Sequence, residues 1–223
     1  MTPLQRVIAL GVALLLLAVV AGLVVRGRLK SCYAFGLYLG AVLAADGLIA
    51  LRSQTFYRWD FWMLKETVHA LLKFAVAVEI GHGTFRSFPG ALATARRVYL
   101  LVIVLTGLAV LAVPAEQADY SVFTKAVLPR ILNGTIWLFT AISGLILWYR
   151  LPVDPLHKAI LIGFVPYLLV FTLTQNLLHA LGWDVREYTN YAHTTAYLIL
   201  LGYWNLVVWR DPAKARPSGP GAS

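Results

Sequence analysis

Glu66, His69 and Lys73 follow one another at i, i+3 and i+7. At 100° per residue these three side chains fall within about 60° of one another, so on a helix they form a single stripe of titratable groups. Such a stripe can pair ions, pass protons or hold a polar ligand, and ionisable groups within an apolar segment mark functional sites. Asp46 lies in the preceding apolar segment. By helical rise it sits about 9 Å below the same end of the bundle, against about 12 Å for His69, so either His69 or Lys73 is within its reach. Gln175, Asn176 and His179, with Thr172 and Thr174, and then His193 and Tyr197, with Thr194 and Thr195, add amides, imidazoles and hydroxyls at the same depth. Convergence of these groups between helices predicts a ligand-binding polar cavity. The same groups can also act only as interhelical hydrogen bonds.

Other chemistries fit less well. His69 with His179 or His193, and His82 with His157, could in principle hold two b-type haems at two depths. His69 and His82, however, are thirteen residues apart and so rotated by about 140° from each other. Glu66 and Glu79 have the same separation and do not make a catalytic dyad. No HExxH, GxSxG or P-loop pattern occurs, and no catalytic or metal site is assigned. A retinal Schiff base would need a buried lysine in the last apolar segment, and Tyr191–Trp209 has none. Cys32 is the single cysteine, which excludes an intramolecular disulfide. At the edge of an apolar segment it reads as a small filler. No nucleic-acid-binding pattern is present.

These residues must be positioned by helices in a bilayer. The 223 residues are 60% hydrophobic and 13% charged. Seven segments are apolar and close to the length needed to cross the hydrocarbon: Val7–Val25, Tyr33–Leu51, Phe61–Gly81, Val98–Val113, Ile131–Tyr149, Ala159–Leu181 and Tyr191–Trp209. Lipid leaves only helices or a closed barrel as spanning structures. The predicted fold is therefore all-α: a seven-transmembrane helix bundle over residues 1–211, followed by a disordered tail over 212–223 rich in Pro, Gly, Ala and Ser. Val7–Val25 is longer than a signal-peptide apolar region and reads as a retained first helix. The connections are too short to hold a soluble catalytic domain.

The net charge of +9 reflects cations flanking the spans. One side carries seven of them and the other eleven, the latter including Arg26, Arg28, Lys30, Arg86, Arg96 and Arg97. The richer side is predicted to be cytoplasmic, which places the N-terminus outside and the C-terminus inside, in a bacterial inner membrane. Phe88-Pro89-Gly90 is expected to break the helix and open a connection running to Arg97. Pro114 is expected to end the fourth span, and Ala115–Tyr120 to form a polar outer loop.

The segment Trp59–Arg97 resembles an uncharacterised family of bacterial, acidobacteria-type seven-helix integral membrane proteins. The resemblance rests on Glu66, Phe74, Val76, Glu79, Ile80, Phe85, Arg86 and Pro89. It implies the seven-helix layout and singles out Glu66 and Glu79, but it implies no activity. From the sequence, the preferred reading is a small-ligand or lipid sensing module. Its site would be an outward-facing cavity lined by Asp46, Glu66, His69, Lys73, Gln175, Asn176, His179, His193 and Tyr197. It would contact the bilayer and, through its basic inner loops, a cytoplasmic protein partner. The alternatives are a small transporter or proton-coupled permease, a haem b electron-transfer subunit, and a structural subunit of a membrane complex. The sequence does not decide whether the protein is an enzyme, and it does not give the oligomeric state.

Overall fold

A computed structural model describes residues 3–56, 58–86, 88–113 and 122–210. Pro114, the Ala115–Tyr120 loop and the tail fall outside the described residues, as does the side chain of His179. Eight α-helices occur among the described residues: α1 (Pro3–Val25), α2 (Tyr33–Leu51), α3 (Ser53–Phe56), α4 (Trp59–Phe85), α5 (Pro89–Leu111), α6 (Leu128–Tyr149), α7 (Pro155–Leu181) and α8 (Arg186–Trp209).

Five of these are long and apolar enough to cross a membrane: Val7–Val25, Tyr33–Leu51, Leu92–Leu111, Leu128–Tyr149 and Pro155–Leu178. Their outward faces carry Leu10, Leu51, Leu101, Leu108, Leu111, Leu147, Trp148 and Leu169, all exposed. A continuous apolar exterior of this kind suits lipid as its surroundings. The protein is a polytopic, all-helical membrane protein. Helices α4 and α8 have 27 and 24 residues, long enough to span, but are less apolar than the other five. The reason is local: α4 carries Asp60, Lys65, Glu66, Lys73 and Glu79, and α8 opens on Arg186 and Glu187. Part of the polarity is buried, His69, Lys73 and Thr84 in α4 and Thr189 and Tyr197 in α8, whereas Asp60, Arg186 and Glu187 are exposed.

The six helices α1, α2, α4, α6, α7 and α8 pack in that order, and α8 returns to α1, so they form a closed ring. Helix α5 lies outside, against α4 and α6. Aromatic side chains from four helices fill the middle. Phe164 of α7 stacks on Phe139 of α6 at 5.2 Å between ring centroids. Trp204 of α8 meets both Phe164 and Phe35 of α2 at 4.8 Å. The helices approach closely where glycine removes a side chain, the device by which membrane helices gain packing. At Gly22 of α1, a Cβ would come within 2.6 Å of Val208.

Pro89 does not open a long connection. It occupies the first turn of α5, where its missing N–H costs nothing, so α5 begins immediately after Phe88 and carries Arg96 and Arg97 on the helix itself.

At the Cys32 end, polar groups tie the helices together. The Arg26 guanidinium donates to the Trp209 carbonyl at 3.0 Å, and Arg28 donates to Val207 and Arg210 carbonyls at 3.4 and 3.3 Å. Two cations thus complement the negative C-terminal end of α8. Glu79 of α4 accepts from the Ala34 N–H at 2.9 Å in the first turn of α2, so its charge faces the positive end of that helix. Asp154 caps α7 by accepting from Leu156 and His157 N–H groups at 2.8 and 3.4 Å.

Cys32 is fully buried in this junction, and its thiol donates to the Arg28 carbonyl at 3.3 Å. Loss of hydration, the largest influence, pushes the thiol up to about 11. At pH 8 roughly one thiol in a thousand would then be ionised, and the thiolate is the reactive form. Iodoacetamide at pH 8 is expected to leave Cys32 unmodified in mild detergent and to alkylate it fully after denaturation in dodecyl sulfate. Rapid alkylation of the native protein, followed by intact-mass measurement, would contradict its burial.

Candidate functional site

The stripe on α4 faces inward and meets three neighbouring helices. Lys73 is 5% exposed, and its ammonium lies 5.9 Å from the Tyr38 ring centroid on α2 and 5.4 Å from that of Phe171 on α7. From Phe171 the contacts continue to His193 of α8, with ring centroids 4.9 Å apart. The His193 Nε2 is 2.8 Å from the Tyr167 hydroxyl. Tyr167 packs on Tyr197 at 5.4 Å, and the Tyr197 side chain lies beside Tyr38, which closes the circuit. His69, one turn before Lys73, packs edge-on against Tyr38 at 6.2 Å. Lys73 therefore sits within a ring of aromatic side chains drawn from α2, α7 and α8.

Two features of this ring are unusual for a membrane interior. Among the described residues no carboxylate oxygen lies within 4 Å of the Lys73 ammonium, the ion pairs found being Arg58–Asp60 and Lys65–Asp46. The two aromatic faces offset part of the cost of that charge. The hydroxyl of Tyr197 is buried beside the Tyr38 side chain and makes no other hydrogen bond among the described residues. Unpaired polar groups in such surroundings are costly and call for an explanation.

Of the residues singled out in the sequence, His69, Lys73, His193 and Tyr197 come together. Glu66 is half-buried on the same stripe, one helical turn before His69, and interacts electrostatically with Lys73. Asp46 does not join them. It pairs with Lys65 at 3.5 Å on a partly exposed seam between α2 and α4. Asn176 is exposed and Gln175 is half-buried. Tyr38, Tyr167 and Phe171 complete the ring but carry no sequence signal beyond aromatic character on apolar helices. Thr135, Thr174, Thr189 and Thr194 donate to carbonyls of their own helices, three or four residues back. They hold no neighbour.

The second histidine pairing is not a two-imidazole site. His82 is exposed, whereas His157 is buried with its Nε2 2.9 Å from the Ser31 carbonyl oxygen. No group of three or more His, Cys, Asp or Glu able to hold a metal ion occurs among the described residues. A shallow open depression of about 300 Å³ lies elsewhere, at the start of α4, lined by Thr55, Phe56, Arg58, Asp60, Phe61 and Leu64.

No family model, no curated protein and no solved structure matches this chain.

Proposed function

We propose that the protein is a seven-span inner-membrane module that binds a small ligand or a lipid headgroup in a polar site open to the outside. In this reading α4 and α8 cross the bilayer with the five more apolar helices, their polar faces turned into the bundle. The N-terminus lies outside, the tail is cytoplasmic, and a cytoplasmic partner reads the inner basic surface. The likeness of Trp59–Arg97 to the acidobacteria-type seven-helix proteins belongs to the same reading. The observation that carries it is the meeting of His69 and Lys73 of α4 with His193 and Tyr197 of α8. A polar cluster needed only for packing would pair its own groups, and this one leaves a cation without an ion-pair partner among the described residues. The competing reading, a structural subunit, is favoured by Asp46, which pairs with Lys65 across the α2–α4 seam and does not join the cluster.

Cysteine accessibility separates the two, because Cys32 supplies a silent background. His193→Cys is expected to react with a membrane-impermeant maleimide in intact cells. Reaction only in inverted vesicles would reverse the orientation. Absence of reaction from either face, with the variant folded, would leave the structural subunit.

A further inference from the structure

We infer that the Lys73 ring is an oxyanion site, taking a carboxylate or phosphate group between Lys73, Tyr197 and His193; this rests on the binding reading above and adds the chemical class of the ligand.

The argument starts from charge. Lys73 is nearly enclosed and its ammonium meets two aromatic faces, at 5.9 and 5.4 Å, but no described carboxylate within 4 Å. A buried cation is tolerated when an anion or several acceptors compensate it. Glu66, two turns before Lys73 on the same stripe, acts on it electrostatically but forms no ion pair with it within 4 Å. Among the described residues no carboxylate pairs directly with Lys73, and an anionic ligand would supply that partner.

Donor chemistry agrees. An ammonium offers three N–H donors, and a phenol offers one. Tyr197 is 8% exposed, its hydroxyl lies beside Tyr38 with no other partner among the described residues, and it belongs to the same ring as Lys73. His193 already shares its Nε2 with Tyr167, so its other nitrogen is the one left for a ligand. Charge-assisted hydrogen bonds from such groups to an anionic oxygen are short and strong. A cationic ligand would be repelled by Lys73, and a purely apolar one would leave Lys73 without a counter-charge.

The same chemistry is found in a free ion and in the headgroup of an anionic lipid. The test uses the full-length chain in dodecyl maltoside with three additions: phosphatidylglycerol, phosphatidylcholine, or inorganic phosphate without lipid. Native mass spectrometry reads retained lipid, and melting temperature reads phosphate. The wild type is expected to retain phosphatidylglycerol at least about fivefold over phosphatidylcholine, or to be stabilised by phosphate alone. The first result assigns the anion to a lipid and the second to a free oxyanion. Lys73→Met is expected to abolish either effect, Lys73→Arg to keep it, and Tyr197→Phe to weaken it about threefold. Should Lys73→Met fail to fold, Tyr197→Phe decides.

Equal retention of both lipids with no effect of phosphate would overturn the inference, as would an unchanged preference in Lys73→Met. If His193→Cys still labels from outside in that case, the binding reading stands and only the anion is lost. If the label is also absent, both fall.

Discussion

Gly163→Val is expected to prevent assembly of the bundle, lowering stability by about 3 kcal/mol. Gly163 faces α8 at the tightest part of the α7–α8 contact. A Cβ there would overlap the Leu200 side chain and lie 2.8 Å from the Trp204 Nε1. Leu200 can change rotamer. Trp204 cannot move away without loss, because its ring is fully buried and its N–H donates to the Ala159 carbonyl at 3.3 Å, on the turn of α7 just before Gly163. Valine adds two methyl groups to the overlap and forces the helices apart. In lipid nothing compensates for that separation, since helix association there depends on close van der Waals contact. Gly144→Val is the matched control, because a Cβ at Gly144 meets no atom within 4 Å. In thermal melts of detergent-solubilised protein, Gly144→Val should follow the wild type while Gly163→Val melts far earlier or aggregates on extraction. Equal melting of the two variants would show that the α7–α8 contact is looser than it is described above.

The same local geometry explains what was legible in the sequence. The stripe of Glu66, His69 and Lys73 follows from helical periodicity alone, which relates residues of one helix without knowledge of any other. Its inward direction followed as well, since lipid rejects charge. The neighbours it meets did not follow. Tyr38, Tyr167 and Phe171 sit on helices whose rotation relative to α4 depends on how all the helices pack, and aromatic residues at apolar positions give no separate signal.

Asp46 shows the limit most clearly. Its depth matched that of His69, but depth is set by rise and pairing also depends on rotation. Asp46 is eight residues beyond Tyr38, and Lys65 is eight before Lys73. Each step of eight turns the side chain by about 80°, so Asp46 and Lys65 meet around the side of the α2–α4 contact while Tyr38 and Lys73 meet inside it. The lower hydropathy of α4 and α8 has the same origin. A window average counts every residue equally, whereas a helix in a bundle needs only its lipid-facing side to be apolar. In α4 the charges are shared between the inward stripe and the exposed start at Asp60, and in α8 they sit at its exposed start, Arg186 and Glu187.

Trp204→Ala is expected to cost about 3 kcal/mol, the lower part of the range for removing a buried tryptophan. Trp204 is the largest of the fully buried side chains and touches two partners from different helices, Phe35 and Phe164, each at 4.8 Å. Truncation leaves a void at the level where α2, α6, α7 and α8 converge, bordered by rings that are too stiff to collapse into it. The loss is mainly of dispersion contacts, which neither lipid nor water can replace in a closed interior. It also leaves the Ala159 carbonyl without the Trp204 N–H. That carbonyl is already bonded within its helix, so this second loss is the smaller one. Trp204→Phe separates the two. It keeps most of the ring and removes the donor, and should recover more than half of the lost stability. The aromatic centre lies directly below Tyr38, which packs on Phe164 at 5.4 Å and forms one wall around Lys73. Trp204→Ala should therefore also loosen the ligand ring, reducing lipid discrimination in the native mass spectrum even at temperatures where the variant is folded. A variant that melts early but discriminates between lipids like the wild type would show that the two layers are mechanically independent.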